Sequence, residues 1–240
     1  LKTIYKDLSV GSGDYPVQWD LDDMSTWKNA GIEFDTIVDA AKQKSYLTVS
    51  SITIYLWYER AAPSIGLLSL ENLKDLKIYG CSGSYLHGNL IPSTVESLLI
   101  DRLNPDDPGY IIGVPNPSHN NKVYLGSRKS SFKKLIVHGV DMKVVDCIVR
   151  LDASIIDLSH NTLEGEISYN YSRFKTPANL SYNRYTGLET GLENWSLYKT
   201  VPIVQHNLIK DIPQSVVNSE FWEKYHENFI GNPGYKAPEP

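Results

Sequence analysis

"IIDLSHNTLEGEIS", residues 155–168, carries apolar side chains at Ile156, Leu158, Leu163 and Ile167, with Asn161 and Gly165 at fixed offsets between them. The same offsets return along the chain. "ANLSYNRYTGL" repeats them through Ala178, Leu180, Asn183, Tyr185 and Gly187. "LENLKDLKIYGC" supplies Leu73, Leu76, Ile78 and Cys81, and "TVESLLIDRL" supplies Val95, Leu98, Ile100 and Leu103. "SFKKLIVHGV" gives Phe132, Leu135, Val137 and Val140; "VSSITIYLW" gives Val49, Ile52, Ile54 and Trp57. A degenerate copy, "PIVQHNLIKDIP", gives Pro202, Val204, Asn207, Ile209 and Ile212.

With the Asn/Cys position as a marker, the copies fall at 57, 81, 103, 140, 161, 183 and 207, spaced by 24, 22, 37, 21, 22 and 24 residues. Five of the six spacings lie inside the 20–29-residue period of the leucine-rich-repeat template. Each copy predicts a short strand whose two central apolar residues point inward. One rung leaves them uncovered, whereas rungs stacked ~4.8 Å apart as a parallel sheet share a continuous core. Asn at the marker satisfies backbone groups that turn inward after the strand. Asn161, Asn183 and Asn207 are the expected ladder, Cys81 a weaker member. Trp57, Leu103 and Val140 lack the chemistry, so a regular ladder is expected only in the C-terminal rungs. The template implies an α/β solenoid: a right-handed superhelix with a parallel sheet on its concave face and an irregular convex side. The long spacing places an insertion at 104–126, "NPDDPGYIIGVPNPSHNNKVYLG", whose Pro, Gly, Asn and Asp predict a loop with turns.

Composition narrows function by exclusion. The 240 residues are 41% hydrophobic and 21% charged, enough for a folded core, and the formal charge of −5 disfavours nucleic acid as a partner. The densest basic run, "SRKSSFKK" (127–134), reads as a solvated face. No apolar run reaches the ~18 residues of a membrane span. The chain opens on Leu1 without a signal peptide, so a missing N-terminus is expected. Cys81 and Cys147 make no disulfide framework, and Cys147 is expected under the convex side. The six histidines have no metal-ligand spacing. There is no GxGxxG, P-loop or HExxH motif. Asp106 and Asp107 are a weak signal for calcium. The N-x-S triplets at Asn170, Asn179 and Asn194 are of the number chance produces. No cofactor and no metal are expected.

A solenoid needs covered ends. Residues 1–46 predict a helical N-terminal cap: "LKTIYKDL" has Leu1, Ile4, Tyr5 and Leu8 at helical spacing, Trp19 and Trp27 follow among turns, and "FDTIVDAAKQ" predicts a second short helix. The repeats then occupy 47–213, about seven rungs. Residues 214–240 predict a closing helix over "SVVNSEFWEKYHENF" and an extended tail or linker. Leu1, Tyr5, Gly11, Trp19, Trp27, Gly31 and Ile32 sit at places matching the N-terminal cap of bacterial secreted and surface leucine-rich-repeat proteins, such as those of gut anaerobes, which the chain resembles. "IDLSHNTLEGEIS" is similar to that family's repeat consensus, shared with plant receptor ectodomains, and "FIGNPGY" (229–235) resembles the C-terminal boundary of the latter. Plant caps carry cysteine pairs that are lacking here, which favours the bacterial group. The resemblance implies a location outside the cell or at its surface, with a lipid anchor ahead of Leu1 as one form of attachment.

Candidate function sits on outward strand positions. Two before the marker lie Tyr55, Tyr79, Asp101, His138, Ser159, Ser181 and Gln205; four before lie Thr53, Lys77, Leu99, Ile136, Asp157, Asn179 and Ile203. Tyr55, Tyr79, Asp101, His138, Lys77 and Asp157 are the candidate binding residues of the concave face, because tyrosine gives large contact area at modest entropy cost. Exposed strands favour Tyr and Thr in any case. The expectation is a non-enzymatic module that binds a protein, with a glycan as the other ligand class. A structural spacer of a larger surface protein is the alternative. A remote third is a hydrolase using Asp101, His138 and Ser159, set against by the lack of a nucleophile elbow or oxyanion hole.

Overall fold

The computed structural model describes residues 23, 26–28, 31–55, 65–79, 85–101, 122–124, 131–142, 149–195 and 200–238. In chain order its strands are β1 (Ile32–Asp39), β2 (Lys44–Tyr55), β3 (Asp75–Tyr79), β4 (Tyr85–His87), β5 (Ser97–Asp101), β6 (Lys122–Tyr124), β7 (Lys134–His138), β8 (Asp141–Met142), β9 (Ile155–Asp157), β10 (Glu164–Ile167) and β11 (Arg184–Leu188). Among the described residues helix is scarce: α1 (Leu192–Trp195), α2 (Gln214–Val217) and α3 (Glu220–Tyr225) are short.

The predicted rungs stack. The main sheet has the order β1-β2-β3-β5-β7-β9, and every pair from β2 onward is parallel. Those four pairings make about four turns of a parallel β-solenoid. Single bridges carry the row further, from Asp157 to Asn179 and from Asn179 to Ile203. Ile54 pairs with Ile78, Ile78 with Ile100 and Ile100 with Val137, so the inward residues form one aligned row. Leu158, Leu180 and Val204 are buried with them, as is the companion row of Ile52, Leu76, Leu98, Leu135, Ile156 and Ala178. Each large aliphatic side chain so buried contributes about 1.5–3 kcal/mol.

The marker asparagines bind as their chemistry requires. Asn183 Oδ1 accepts the Leu163 N–H at 3.0 Å, while its Nδ2 donates to the Leu158, Leu180 and Ser181 carbonyls. Asn161 takes the Val140 N–H and Asn207 the Tyr185 N–H in the same manner. A further member is Asn232, which accepts from Ile209 N and donates to the carbonyls of Val204 and Phe229. The backbone of 228–230 lies alongside, taking bonds from Val204 N and His206 N. "NPGY" is therefore not tail: it completes one more rung, 25 residues after Asn207. Cys81, Trp57, Leu103 and Cys147 lie outside the described residues.

Three further expectations are corrected. "FDTIVDAAKQ" is not a helix: residues 32–39 are β1, antiparallel to β2, and 40–43 are the turn. Phe34, Ile37, Val38 and Ala41 suit helical spacing, but Thr36, Ile37 and Val38 are consecutive β-branched residues, stiff in a helix and at ease on a pleated strand. Leu1–Leu8 and Trp19 fall outside the described residues. Trp27 is buried and stacks on Phe34 with ring centroids 6.2 Å apart, so the covered end rests on an aromatic pair. Gly31, at φ +79°, lets the chain pass close to Thr53, whose N–H it accepts at 2.9 Å. Secondly, the 104–126 insertion is not all loop: β6 forms the middle of a parallel three-stranded sheet, β4-β6-β8. Thirdly, the closing helix breaks: α2 stops at Val217, Ser219 caps α3 through the Trp222 N–H, and a 3₁₀ turn follows over His226–Phe229.

Candidate site: the outward face of the main sheet

Strands β3, β5 and β7 each alternate buried and half-buried residues, so their outward positions share one face. Register fixes who stands beside whom. Thr53, Lys77, Leu99, Ile136 and Asp157 form one continuous column, extended by Asn179 and Ile203. Tyr55, Tyr79, Asp101 and His138 form the next. The structure thus brings all six candidate binding residues onto one face; for Tyr55 only the backbone is described. Leu99 and Ile136, in the same column as Lys77 and Asp157, are direct neighbours, half-buried and apolar. Residue-type reasoning passed over them because it sought polar chemistry.

His138 is the electrostatic centre. Its Nδ1 lies 3.6 Å from Asp101 Oδ2 and its Nε2 lies 3.2 Å from Asp157 Oδ1, the latter an ion-pair contact without the alignment of a good hydrogen bond. Burial works against a charged ring, but the Asp101 and Asp157 carboxylates outweigh it and push the imidazole up to about 9. Burial likewise opposes the Asp157 carboxylate, and His138 together with the Ser159 hydroxyl and N–H brings it down to about 2. At neutral pH the Asp157 carboxylate therefore faces an imidazolium.

Ser159 does not join a relay. Its hydroxyl donates to Asp157 Oδ1 at 2.7 Å, and its N–H reaches the same oxygen at 3.1 Å. Ser181 repeats both bonds to Asn179 Oδ1, at 2.7 and 3.2 Å. An arrangement that recurs with an amide in place of the acid is a turn device, and His138 sits between two aspartates rather than between an aspartate and a serine.

A third column was not anticipated. The residue just before the marker is left-handed in successive rungs: Gly139, His160, Tyr182, His206 and Gly231, with φ of 72°, 58°, 55°, 53° and 81°. The three rings stack, His160 on Tyr182 at 4.3 Å and 10°, Tyr182 on His206 at 4.4 Å and 14°. His138 meets the edge of His160 at 6.4 Å. Burial, then the charge of His138, lowers the His160 pKa. The signal was present in the sequence: aromatic residues at 160, 182 and 206 keep the spacing of the marker they precede.

Among the described residues there is no cluster of three or more His, Cys, Asp or Glu suited to a metal ion, and no helix long and apolar enough to cross a membrane. What the geometry establishes is a repeat protein built as a parallel β-solenoid; no protein-family model, curated protein or solved structure matches this chain.

Proposed function

We propose that the chain is a leucine-rich-repeat-type interaction module, secreted or held at a cell surface, that binds a protein ligand on the outward face of its main sheet and catalyses no reaction. The observation that carries this reading is the composition of that face. Leu99 and Ile136 lie side by side, and Lys77, Tyr79, Asp101, His138 and Asp157 surround them. An apolar centre with an aromatic and charged surround is the anatomy of a protein interface. A face meant only for water has no need of adjacent branched aliphatics. The ladder of Asn161, Asn183, Asn207 and Asn232 supports the repeat type, since each amide does the work that the template assigns to it.

The test is retention of a partner from extracellular fluid on the immobilised protein, compared with two charge-bearing variants. Leu99→Asp should release the partner; Leu208→Asp, at an exposed leucine away from this face, should retain it. A partner that survives Leu99→Asp refutes the reading. A bound species that is saccharide rather than protein assigns the face to a glycan and overturns the ligand class.

A further inference from the structure

The N-terminal hairpin outgrows the solenoid. β2 runs from Lys44 to Tyr55, yet β3 pairs only with Ser51–Tyr55. The remainder of β2 and most of β1 extend beyond the stack as a two-stranded antiparallel ribbon. Such a ribbon is marginally stable alone. It carries the most exposed large apolar residues of the described chain, Val38 at 68% and Leu47 at 63%, with Ile37 and Tyr46 directly paired on the opposite face. β1 is also the end strand of the main sheet, and among the described residues no strand pairs with its other edge. An unpaired row of backbone N–H and C=O groups is a template for one more strand.

We propose that the outer edge of β1, unpaired among the described residues, is a second docking surface, distinct from the outward sheet face, that takes an extended segment of a partner protein alternating basic and apolar residues. Charge selects the occupant. β1, "IEFDTIVD", contributes Glu33, Asp35 and Asp39 and no cation. Lysines in the turn and on the β2 side already face its acids: Lys42 is 3.0 Å from Asp39, Lys74 is 3.6 Å from Asp35, and Lys44 is the cross-strand partner of Asp39. A second copy of β1 at this edge would set acid strand against acid strand, which disfavours self-pairing. A lipid surface is disfavoured by the tip, where Asp39 and Lys42 lie beyond the apolar residues. Because side chains alternate along a strand, Asp35, Ile37 and Asp39 share one face and Thr36 and Val38 the other. An added strand therefore meets Asp35 and Asp39 flanking Ile37 on one side, and Val38 beside Thr36 on the other. Main-chain hydrogen bonds supply affinity and this alternation supplies selectivity.

The probe is an eight-residue peptide alternating lysine and valine, compared with one alternating glutamate and valine, each titrated into the full chain by fluorescence anisotropy. The lysine peptide should bind at least tenfold more tightly and should slow amide exchange across residues 32–39. Val38→Lys and Thr36→Lys, both at exposed positions, should each weaken it at least tenfold while the thermal midpoint stays in place. Equal affinity for the two peptides, or affinity indifferent to both substitutions, overturns the proposal. So does a dimer of the protein alone that Val38→Lys dissolves, since the edge would then belong to a second copy.

Discussion

At the scale of single residues, the ladder shows how unequal the two ends of one amide are. The Leu158 carbonyl accepts from both Asn161 and Asn183, and the Leu180 carbonyl from both Asn183 and Asn207, so each keeps a donor if Asn183 is lost. The Leu163 N–H has Asn183 Oδ1 as its side-chain acceptor. Asn183→Ala therefore orphans a buried donor, which costs about 1–3 kcal/mol, plus the void of the missing amide; urea unfolding should show a loss at the upper end of that range. The stacked column makes the opposite kind of prediction. A left-handed conformation costs an L-residue about 1–2 kcal/mol, and an aromatic pair returns about 0.5–1.5 kcal/mol. Tyr182→Ala keeps the backbone cost and loses both stacks; Tyr182→Gly loses the stacks but sheds the cost. Glycine should be the milder substitution by about 1 kcal/mol, the reverse of its usual order in regular structure. His138 gives a pH signature. Its folded pKa of about 9 stands above the ordinary 6.5, so its stabilisation is complete below 6.5 and fades as pH rises through 9. Asp157, held at about 2 against 3.8, stabilises above 3.8 and loses that contribution as pH falls through 2. The stability difference between the native chain and Asp157→Asn should be flat between about pH 4 and 6.5 and shrink at either extreme. Asn161, Asn183 and Asn207 were legible in the sequence because buried backbone demands that side chain at that offset. Asn232 was hidden because helical segments intervene and Phe229, not Leu, precedes it by three.

At the scale of elements, strands with a clean inward pair were legible, and elements defined by a partner were not. β3, β5 and β7 announce themselves through Leu76/Ile78, Leu98/Ile100 and Leu135/Val137, whose alternation has no helical counterpart. β6 is three residues within turn-rich chain, and its strand character comes from β4 and β8 on either side. β1 could be read as helix or strand from its apolar spacing, and pairing with β2 decides it. The candidate site was legible as two columns because register follows from the marker. Its His138 cluster joins the two columns diagonally, from Asp101 in one to Asp157 in the other, which a column-by-column reading does not reveal. Two left-handed glycines, Gly231 in the turn before Asn232 and Gly165 within β10, yield a paired test. A Cβ on Gly231, φ +81°, would sit 2.8 Å from His206 Cγ and closer still to Nδ1, whereas one on Gly165, φ +88°, meets nothing within 4 Å. Gly165→Ala should cost the backbone term alone, about 1–2 kcal/mol. Gly231→Ala should cost clearly more and disturb the His206 ring, visible as a shifted imidazole resonance.

At the scale of the whole molecule, each rung touches chiefly its neighbours, so stability is a sum of local terms rather than a single all-or-none property. The rungs from β9 onward share the asparagine ladder and the Trp195, Tyr171 and Trp222 side chains, all buried. The β1–β2 ribbon beyond the stack has neither. Hydrogen exchange should rank accordingly: slowest for Leu158, Leu163, Leu180 and Tyr185, fastest for residues 36–47. A uniform rate across both regions would contradict local summation. The spacing between β5 and β7 bears on the same point. That pair is joined by the longest excursion of the repeat series, yet Leu98 faces Leu135 and Ile100 faces Val137 without slippage. The stack thus counts strands and is indifferent to the length of chain that returns from one to the next. A foreign loop grafted between residues 103 and 121 would ride on the molecule as cargo, and the frame beneath it would have no means of registering the difference.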